Sequence, residues 1–305
     1  MELDISVVIP AYNEEKNVLI LHKEITSVLS NLKKSYEIIF VNDGSTDRTE
    51  EMLNRIKDNK TKIIHFRKNF GQTAALDAGL KASKGNVIVT MDGDLQNDPN
   101  DIPKLLSLMD KGYDIIAGWR YKRKDSLMIR FISKGAKILR RILLNDKLHD
   151  SGCTLRAYKK ECIKDLNLYG EMHRFVHVIL RSKGFKIAQM KVNHRKRVFG
   201  KTKYNASRSM KGFLDMLLLR FWMDFSTRPI HLFGGVGLAS GAAGFLILLY
   251  LAYIRIFESI PIGNRPLLSL GVLLMAIGVQ FIIFGILSDI LSKVYYKDKE
   301  NYSIK

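Results

Sequence analysis

Two long uncharged segments in the last third of the chain restrict most strongly how it can fold. Residues 232–254 and 266–288 each run for 23 positions without a formal charge. An α-helix rises about 1.5 Å per residue, so each segment can cross a hydrocarbon layer of about 30 Å. The alternative is a pair of core helices, but soluble helices seldom stay uncharged for so long. We therefore predict two transmembrane helices, at about 232–254 and 266–290.

Charge is distributed unevenly along the chain. Residues 1–110 carry 14 Lys and Arg against 17 Asp and Glu, whereas residues 111–229 carry 29 against 9. A nucleic-acid binder would be basic throughout, so the near-neutral first part argues against nucleic acid as a partner. The basic part predicts a second, anionic partner, either a phosphate group or the surface of a lipid bilayer.

The charges around the two uncharged segments predict their orientation. The connection at 255–265 has two arginines and one glutamate, while the basic region precedes the first segment and lysines follow the second. Because positive residues stay on the cytoplasmic side, both termini and the large first domain are expected in the cytoplasm, at the inner membrane. The chain begins Met-Glu-Leu-Asp and enters a strand directly, so no signal peptide is predicted. Cys153 and Cys162 are expected to be free structural thiols.

The first 117 residues alternate short apolar runs with amphipathic stretches. Predicted strands cover 5–9, 37–41, 62–66, 87–91 and 114–117, and predicted helices cover 15–32, 46–57, 73–82 and 102–111. This alternation favours a mainly parallel α/β sheet with helices on both faces. We divide the chain into a catalytic domain at 1–205, with halves at 1–117 and 118–205, a juxtamembrane helix at 206–229, and a transmembrane domain at 230–305.

Asp92 and Asp94 follow the predicted strand 87–91 directly. Two carboxylates at the end of a buried strand indicate Mg²⁺ or Mn²⁺, which proteins bind through one or two carboxylates together with substrate phosphates. Polar motifs also follow other strands: Pro10-Ala-Tyr-Asn-Glu14, Asn42-Asp-Gly-Ser-Thr-Asp47 and Asn69-Phe-Gly-Gln72. Ligands bind beyond the carboxyl ends of parallel strands, so these motifs are expected to line one cleft. Ser45 or Thr46 is also expected to cap the next helix.

These motifs, in this order, resemble the inverting family 2 glycosyltransferases of GT-A fold. Within that family the chain looks like the polyprenyl-phosphate sugar synthases, a group that includes dolichol-phosphate mannose synthase and the GtrB-type and ArnC-type transferases. The resemblance extends along the whole chain through four further motifs: Gly118-Trp-Arg-Tyr121, Ser151-Gly-Cys-Thr-Leu-Arg156, Gly170-Glu-Met-His-Arg-Phe175 and Arg197-Val-Phe-Gly-Lys-Thr-Lys-Tyr204. Trp119 departs from the small residue that is usual at its position.

The resemblance implies a nucleotide-sugar site and a metal site. The metal, Mg²⁺ or Mn²⁺, is expected on Asp92, Asp94 and Gln96, and Asp43 is expected to bind the base or ribose. A turn residue is the other interpretation of Asp43, and Glu14 can start a helix as well as line the pocket. The nucleotide-sugar positions implied are Pro10, Tyr12, Asn13, Glu14, Asp43, Asn69, Gly71, Gln72, Asp92 and Gly93.

The acceptor implied is a polyprenyl phosphate. Its anionic oxygen is already a nucleophile, since the second pKa of a phosphate is about 6, so placement by cations matters more than a base. Asp150 is either a base or the partner that orients an arginine. The phosphate positions implied are Arg120, Arg130, Ser133, Arg156, Arg174, Arg197 and Lys203. The catalytic set implied is Asp94, Asp150, Arg130 and Arg197, acting by one inverting displacement.

Helix periodicity at 208–225 is compatible with a helix in the membrane interface or with a core helix. Gly237 and Gly241 form a small-x-x-x-small step that would suit close helix packing, so a homo-oligomer is compatible with the sequence. A flippase that consumes the product is a compatible downstream partner.

The sequence leaves the donor open between a UDP-sugar, which we favour, and GDP-mannose, and the lipid open between undecaprenyl and dolichyl phosphate. A processive polysaccharide synthase is disfavoured because neither tryptophan lies in a Gln-x-x-Arg-Trp motif. A non-catalytic membrane adaptor is disfavoured because Asp92, Asp94 and Arg197 are all present.

Overall fold

The structure is a computed structural model of the 305-residue chain. It describes residues 3–121, 135, 138–164, 166–168, 170–199, 207–263 and 265–296, with the side chains of 207–211 and 296 left out. The chain divides into two compact units, Met1–Leu217 and Leu218–Lys305. The expected positions Arg130, Ser133 and Lys203 lie outside the described residues.

The first unit is built on a seven-stranded sheet in the order β3-β2-β1-β4-β6-β5-β7. Neighbouring strands are parallel except where β6 pairs antiparallel with β4 and with β5. The strands are β1 (Leu3–Ala11), β2 (Tyr36–Asn42), β3 (Thr61–His65), β4 (Gly85–Thr90), β5 (Ile115–Arg120), β6 (Arg156–Lys159) and β7 (Ile187–Val192).

Helices cover both faces of this sheet and continue into the second unit. In the first unit they are α1 (Val18–Asn31), α2 (Thr49–Asn54), α3 (Gln72–Ala82), α4 (Ile102–Met109), α5 (Lys160–Ile163) and α6 (Val176–Ser182), with 3₁₀ turns at Pro99–Asp101 and Met172–Arg174. Helix α7 (Ser207–Phe225) follows, and the second unit contains α8 (Ile230–Phe257) and α9 (Pro266–Tyr296).

The central strands are apolar on both faces because both faces are covered. Every residue of β2 is buried, and on β1 the alternating Val7 and Val8 enter different cores. One core contains Leu21 of α1 and Leu105 of α4, and the other contains Leu76 of α3 with buried residues of α6. A continuous apolar run is typical of a parallel strand buried on both sides. The edge strand β3 is only partly buried.

The five predicted strands and four predicted helices are all present, within a few residues of their expected bounds. The predicted fold class, a mainly parallel sheet with helices on both faces and two apolar C-terminal helices, is confirmed. Strands β6 and β7 were not predicted from the sequence. Strand β6 has four residues, and its apolar Ala157 lies between Arg156 and Tyr158, so it lacks the long apolar run that identified the others.

A buried polar cluster joins the helical residues 138–144 to α6. Nε2 of His177 lies 3.2 Å from Oδ2 of Asp146, and Nε of Arg140 lies 3.7 Å from the same oxygen. Burial lowers the pKa of His177 to about 4, with the charges of Arg156 and Arg140 adding to the effect and Asp146 opposing it. His177 is therefore neutral at physiological pH, and its burial costs no ionic desolvation.

This cluster predicts how stability depends on pH. An unfolded histidine titrates near 6.5, so as the pH falls the unfolded chain takes up a proton before folded His177 does. The contribution of neutral His177 to the free energy of unfolding is full above pH 6.5 and is lost as the pH falls through about 4, by roughly 3 kcal/mol in total. Thermal unfolding at pH 7 and pH 5 should show a smaller pH effect in His177→Gln than in wild type. His65 is exposed, so the control variant His65→Gln should show the same pH effect on thermal unfolding as wild type.

The two helices of the second unit are long and apolar enough to cross a membrane, with mean hydropathies of 2.0 and 2.6. Glycines form the seam where they pack. A Cβ on Gly244 would lie 2.7 Å from the carbonyl oxygen of Gly271, and a Cβ on Gly237 would lie 2.7 Å from that of Gly278. The small-x-x-x-small step at Gly237 and Gly241, which suits close helix packing, thus lies between two helices of one chain.

Substitution in this seam should separate the two helices. Gly244→Leu places a side chain against the backbone of Gly271 and Met275, which cannot move aside, so we expect a loss of about 1–3 kcal/mol. Thermal unfolding of the detergent-solubilised protein measures it. Gly235→Leu, where a Cβ meets nothing within 4 Å, is the matched control. Equal losses in the two variants would contradict the seam.

Candidate active site

The ends of β1 and β2 are tied together by Asn13. Its backbone has a φ of 57°, a left-handed conformation that Asn tolerates better than most residues. The Asn13 N–H donates to Ser45 Oγ at 2.9 Å, and its Oδ1 accepts from the Thr46 N–H at 2.8 Å. The expectation that Ser45 or Thr46 caps the next helix was therefore wrong: Arg48 is the residue before α2, and both side chains face Asn13.

Asp43, directly after β2, holds the segment that leads into α3. Its buried carboxylate accepts from the N–H of Phe70 at 2.7 Å, the N–H of Gly71 at 3.0 Å and Nδ2 of Asn69 at 3.0 Å. The next residue must be glycine, because a Cβ on Gly44 would lie 2.1 Å from the carbonyl carbon of Lys68. Of the two interpretations of Asp43, the contacts in the structure are those of a turn-organising residue, and its contact with a nucleotide stays a prediction.

The segment that Asp43 holds delivers Gln72 to the end of β4. Nε2 of Gln72 donates to Oδ1 of Asp92 at 2.9 Å. Gly93 packs against the end of β1, where an added Cβ would lie 3.2 Å from the carbonyl oxygen of Pro10. The expected motifs after β1, β2 and β4, and the one before α3, are therefore in contact along one edge of the sheet.

Glu14 is engaged at the start of α1. Its Oε2 accepts from Nδ2 of Asn17 at 2.5 Å, and its N–H donates to Thr49 Oγ1 at 2.8 Å. These contacts fit the interpretation of Glu14 as a helix-initiating acid. Tyr12, two residues before Glu14, is half-buried. The roles of Tyr12 and Glu14 toward a nucleotide stay predictions.

Asp94 and Arg197 meet although 103 positions separate them in the sequence. Nη2 of Arg197 donates to Oδ2 of Asp94 at 2.6 Å, and the Asp94 side chain is 10% exposed. A short, charge-assisted hydrogen bond of this kind fixes both side chains. The acidic motif of the first half and the basic motif of the second therefore share one centre.

The two neighbouring carboxylates at this centre disfavour each other's ionised form. Burial and the charge of Asp94 raise the pKa of Asp92 to about 6, while a hydrogen bond from Thr154 and the cations Arg120 and Arg197 act in the opposite direction. Two carboxylates this close cannot both stay ionised at low cost unless positive charge is supplied. The site is therefore suited to a cation.

The carboxylate oxygens of Asp92 and Asp94 are ligands that suit a hard divalent cation. Among the residues that the structure describes, no group of three or more His, Cys, Asp and Glu side chains gathers as a complete metal cage. Two carboxylates without a full cage match the manner in which Mg²⁺ is held, with substrate phosphates completing the shell. Gln96, the third expected ligand, has its N–H donating to Asp94 Oδ1 at 3.1 Å.

His194 is a site residue that the sequence analysis missed. Its Nε2 lies 3.4 Å from Nε2 of Gln96, and His194 forms an isolated β-bridge with Asn97. Neutral imidazole is a common metal ligand, so His194 adds a nitrogen ligand beside the two carboxylates. The only sequence signal was its position three residues before Arg197, and no spacing rule connects it to Asp94 across 100 positions.

Arg120 and Asp150 form a two-pronged ion pair at the end of β5. Nε of Arg120 lies 2.7 Å from Oδ2 of Asp150 and Nη2 lies 2.9 Å from Oδ1, with the side chains 15% and 11% exposed. The Arg120 N–H also donates to Oδ2 at 3.2 Å. Of the two roles expected for Asp150, this geometry favours the partner that orients an arginine, because both oxygens already accept from Arg120.

Two other arginines expected at an acceptor phosphate have partners inside the first unit. Arg156 is buried and donates from Nε to the Cys153 carbonyl at 2.9 Å and from Nη2 to the Ser151 carbonyl at 2.5 Å. Its contacts are those of a residue that shapes the 151–155 loop. Nη2 of Arg174 lies 3.0 Å from Oε2 of Glu171 and is partly exposed. The structure brings neither of them into contact with Asp92 or Asp94.

Comparison with known proteins gives this geometry a family. The sequence profile of Glycosyl transferase family 2 matches residues 6–166. The dodecaprenyl-phosphate galacturonate synthase of Rhizobium johnstonii is 39% identical, over 99% of this chain and 92% of its own. The undecaprenyl-phosphate 4-deoxy-4-formamido-L-arabinose transferase of Pectobacterium atrosepticum is 31% identical, over 96% and 89%. The chain belongs to glycosyltransferase family 2, as its motifs predicted.

Solved structures show the same fold. Glucosyl-3-phosphoglycerate synthase from Mycobacterium tuberculosis, in complex with Mn²⁺, UDP and phosphoglyceric acid, matches with a TM-score of 0.57 and 20% identity, covering 72% of this chain and 78% of its own. The same enzyme with Mg²⁺ and UDP matches with a TM-score of 0.55. The predicted GT-A fold is confirmed, and the chain is a glycosyltransferase.

The Arg120 and Asp150 pair yields a test of the two roles of Asp150. If Asp150 orients Arg120, then Asp150→Asn and Arg120→Gln should each lower kcat/KM for sugar transfer about 10- to 100-fold. The kcat/KM of the double variant should then be no lower than that of the less active single variant. Asp114→Asn removes a carboxylate paired with Lys159 at the opposite end of β5 and serves as the control. A double variant whose losses multiply would instead assign Asp150 an independent role as a base.

Proposed function

We propose that this chain transfers a sugar from a UDP-sugar to the phosphate of a polyprenyl phosphate, with inversion at the anomeric carbon. The observation that carries this proposal is the 2.6 Å contact between Asp94 and Arg197. It supports one reaction centre in which the donor diphosphate and the acceptor phosphate approach each other. The relatives at 39% and 31% identity, which are named for transfer to dodecaprenyl and undecaprenyl phosphate, support the same acceptor class.

On the donor side, Asp92 and Asp94 would hold Mg²⁺ or Mn²⁺, with Gln96 and His194 beside them. The cation would stabilise the negative charge that gathers on the departing nucleoside diphosphate. Gln72 orients Asp92 through its amide, and Asp43 keeps the segment before Gln72 in place. These contacts pre-organise the donor site, so that little rearrangement is needed during the reaction.

On the acceptor side, Arg197 and Arg120 would attract the phosphate of the lipid. Both guanidinium groups lie close enough to Asp92 to act on its charge, so a phosphate bound by them would lie near the donor. A phosphate oxygen is anionic at neutral pH and attacks without a general base, which agrees with Asp150 being occupied by Arg120. Direct attack opposite the leaving group inverts the anomeric carbon.

The apolar helices α8 and α9 support residence in a membrane. The positive charges that flank them support a cytoplasmic position for the catalytic unit and both termini. Helix α7 supports an interfacial position, because Leu214, Leu217 and Leu218 are exposed on one side of it while Met216 and Leu219 are buried. An acceptor whose phosphate lies at the bilayer surface suits a catalytic unit held there. The bilayer is the partner for which these helices provide evidence.

The first donor to test is UDP-galacturonate, since the relative at 39% identity is named for galacturonate. Purified protein would be given undecaprenyl phosphate, Mg²⁺ or Mn²⁺, and in turn UDP-galacturonate, UDP-glucose, UDP-4-deoxy-4-formamidoarabinose and GDP-mannose. We expect UDP release that requires the lipid phosphate, and a glycolipid of matching mass. Use of GDP-mannose would correct the donor. No nucleoside diphosphate from any donor would overturn the proposal in favour of a non-catalytic adaptor.

Removal of the Asp94 charge should disable the donor site. We expect Asp94→Asn to lower kcat by about 10²-fold or more and to abolish the increase in melting temperature that Mn²⁺ with UDP causes in wild type. Asp110→Asn, an exposed carboxylate at the end of α4, should leave both unchanged. Wild-type stabilisation by Mn²⁺ with UDP in Asp94→Asn would contradict a metal role for Asp94.

A further inference from the structure

The segment that carries His194 and Arg197 has little regular structure of its own. It leaves β7 at Val192 and runs along the segment that follows Asp94. The Asn193 N–H donates to Oδ2 of Asp101 at 2.7 Å, and the Arg195 N–H donates to the Gln96 carbonyl at 2.9 Å. These two hydrogen bonds alone do not explain why the segment stays beside Asp94.

Arg195 supplies a side-chain brace at this point. Its Nη1 lies 2.7 Å from Oε2 of Glu24, and its Nη2 lies 2.8 Å from Oδ1 of Asp98. One guanidinium thus joins three parts of the chain: helix α1, the segment after Asp94, and the segment that ends at Arg197. Arginine suits this task because its nitrogens diverge in a fixed plane, whereas the single nitrogen of a lysine cannot face two separated carboxylates in the same way.

Both anchors of the brace are themselves rigid. Glu24 lies on α1 between Leu21 and Ile25, which are fully buried in the core. Asp98 caps the 3₁₀ turn Pro99–Asp101 by accepting from the Asn100 N–H at 3.0 Å. The Arg195 side chain is 33% exposed, so its ion pairs contribute little to the stability of the whole unit. Their expected effect is local, on the position of the backbone around residue 195.

We propose that Arg195 is a positioning residue for the reaction: through Glu24 and Asp98 it holds His194 beside Gln96 and Arg197 on Asp94. The inference rests on the proposed function, since it concerns the same centre. Arg195 has no contact with Asp92 or Asp94 among its described interactions, and it acts through the backbone on which its two neighbours are carried. Placement errors far smaller than a residue length reduce catalysis strongly, so a brace of this kind has a measurable effect.

The test uses Arg195→Gln, Arg195→Lys, Glu24→Gln and the double variant Glu24→Gln with Arg195→Gln, each in the full-length protein. The matched control is Arg55→Gln, which breaks the exposed ion pair of Arg55 with Glu51 on α2. Two readouts are taken: kcat and KM for sugar transfer, and amide hydrogen exchange of the peptide that covers residues 190–199. The second readout needs neither donor nor metal.

We expect Arg195→Gln to lower kcat about 10- to 100-fold and to speed exchange at residues 190–199 at least tenfold, while strand β2 stays protected. Glu24→Gln should show smaller changes in the same direction, the double variant should be no worse than Arg195→Gln, and Arg195→Lys should recover part of both. Arg55→Gln should match wild type in both readouts.

Unchanged exchange at residues 190–199 in both Arg195→Gln and Glu24→Gln would overturn the brace, and so would faster exchange with kcat within twofold of wild type. Should Arg195→Gln fail to fold, Glu24→Gln carries the test alone. If wild type transfers no sugar with any donor, the proposed function fails by itself, and hydrogen exchange still decides whether Arg195 holds the segment.

Discussion

The contact between Asp94 and Arg197 is the interaction on which the rest of the structure depends. It joins the end of β4 to the segment after β7, although β6 and β5 lie between these strands in the sheet. The residues around it add negative charge and compensate for it. Asp92 lies close to Asp94 in the chain, while the Gln72 amide donates to Asp92 and Arg120 adds a second positive charge. A site with this much charge is stable only when its partners are fixed, which explains why Asp43, Asp150 and Asp98 all hold neighbouring segments.

The basic half of the chain is more internally paired than its net charge indicates. Arg120, Arg174 and Arg195 each have a carboxylate partner, and Arg156 is bound to backbone carbonyls. In the proposed function, an anionic lipid headgroup would therefore meet cations that are already oriented. Oriented guanidinium groups lose less freedom on binding phosphate than free side chains do, so pairing is compatible with a binding role for those at the surface.

The sequence predicted those features that local pattern determines. Strands β1, β2 and β4 are long apolar runs, and the polar segments at their ends were sufficient to predict one shared cleft that contains Asp92 and Asp94. The family resemblance added Arg197 to the same centre, and the structure shows its contact with Asp94. Side-chain partners were harder to predict. Whether Asp43 faces a ligand or the Phe70 and Gly71 amides, and whether Arg156 faces outward or the Ser151 carbonyl, depends on contacts that only the folded chain creates. His194 and Arg195 were missed for the same reason, since their partners lie 98 and 171 positions away.

A double-mutant cycle between Asp94 and Arg197 tests the central claim most directly. The conservative variants Asp94→Glu and Arg197→Lys should retain enough activity for kcat/KM to be measured, singly and together. If the two residues form one reaction centre, the combined loss should differ from the product of the single losses by about tenfold or more, as expected for charged groups in direct contact. Losses that multiply to within twofold would show that Asp94 and Arg197 act independently and would contradict this account.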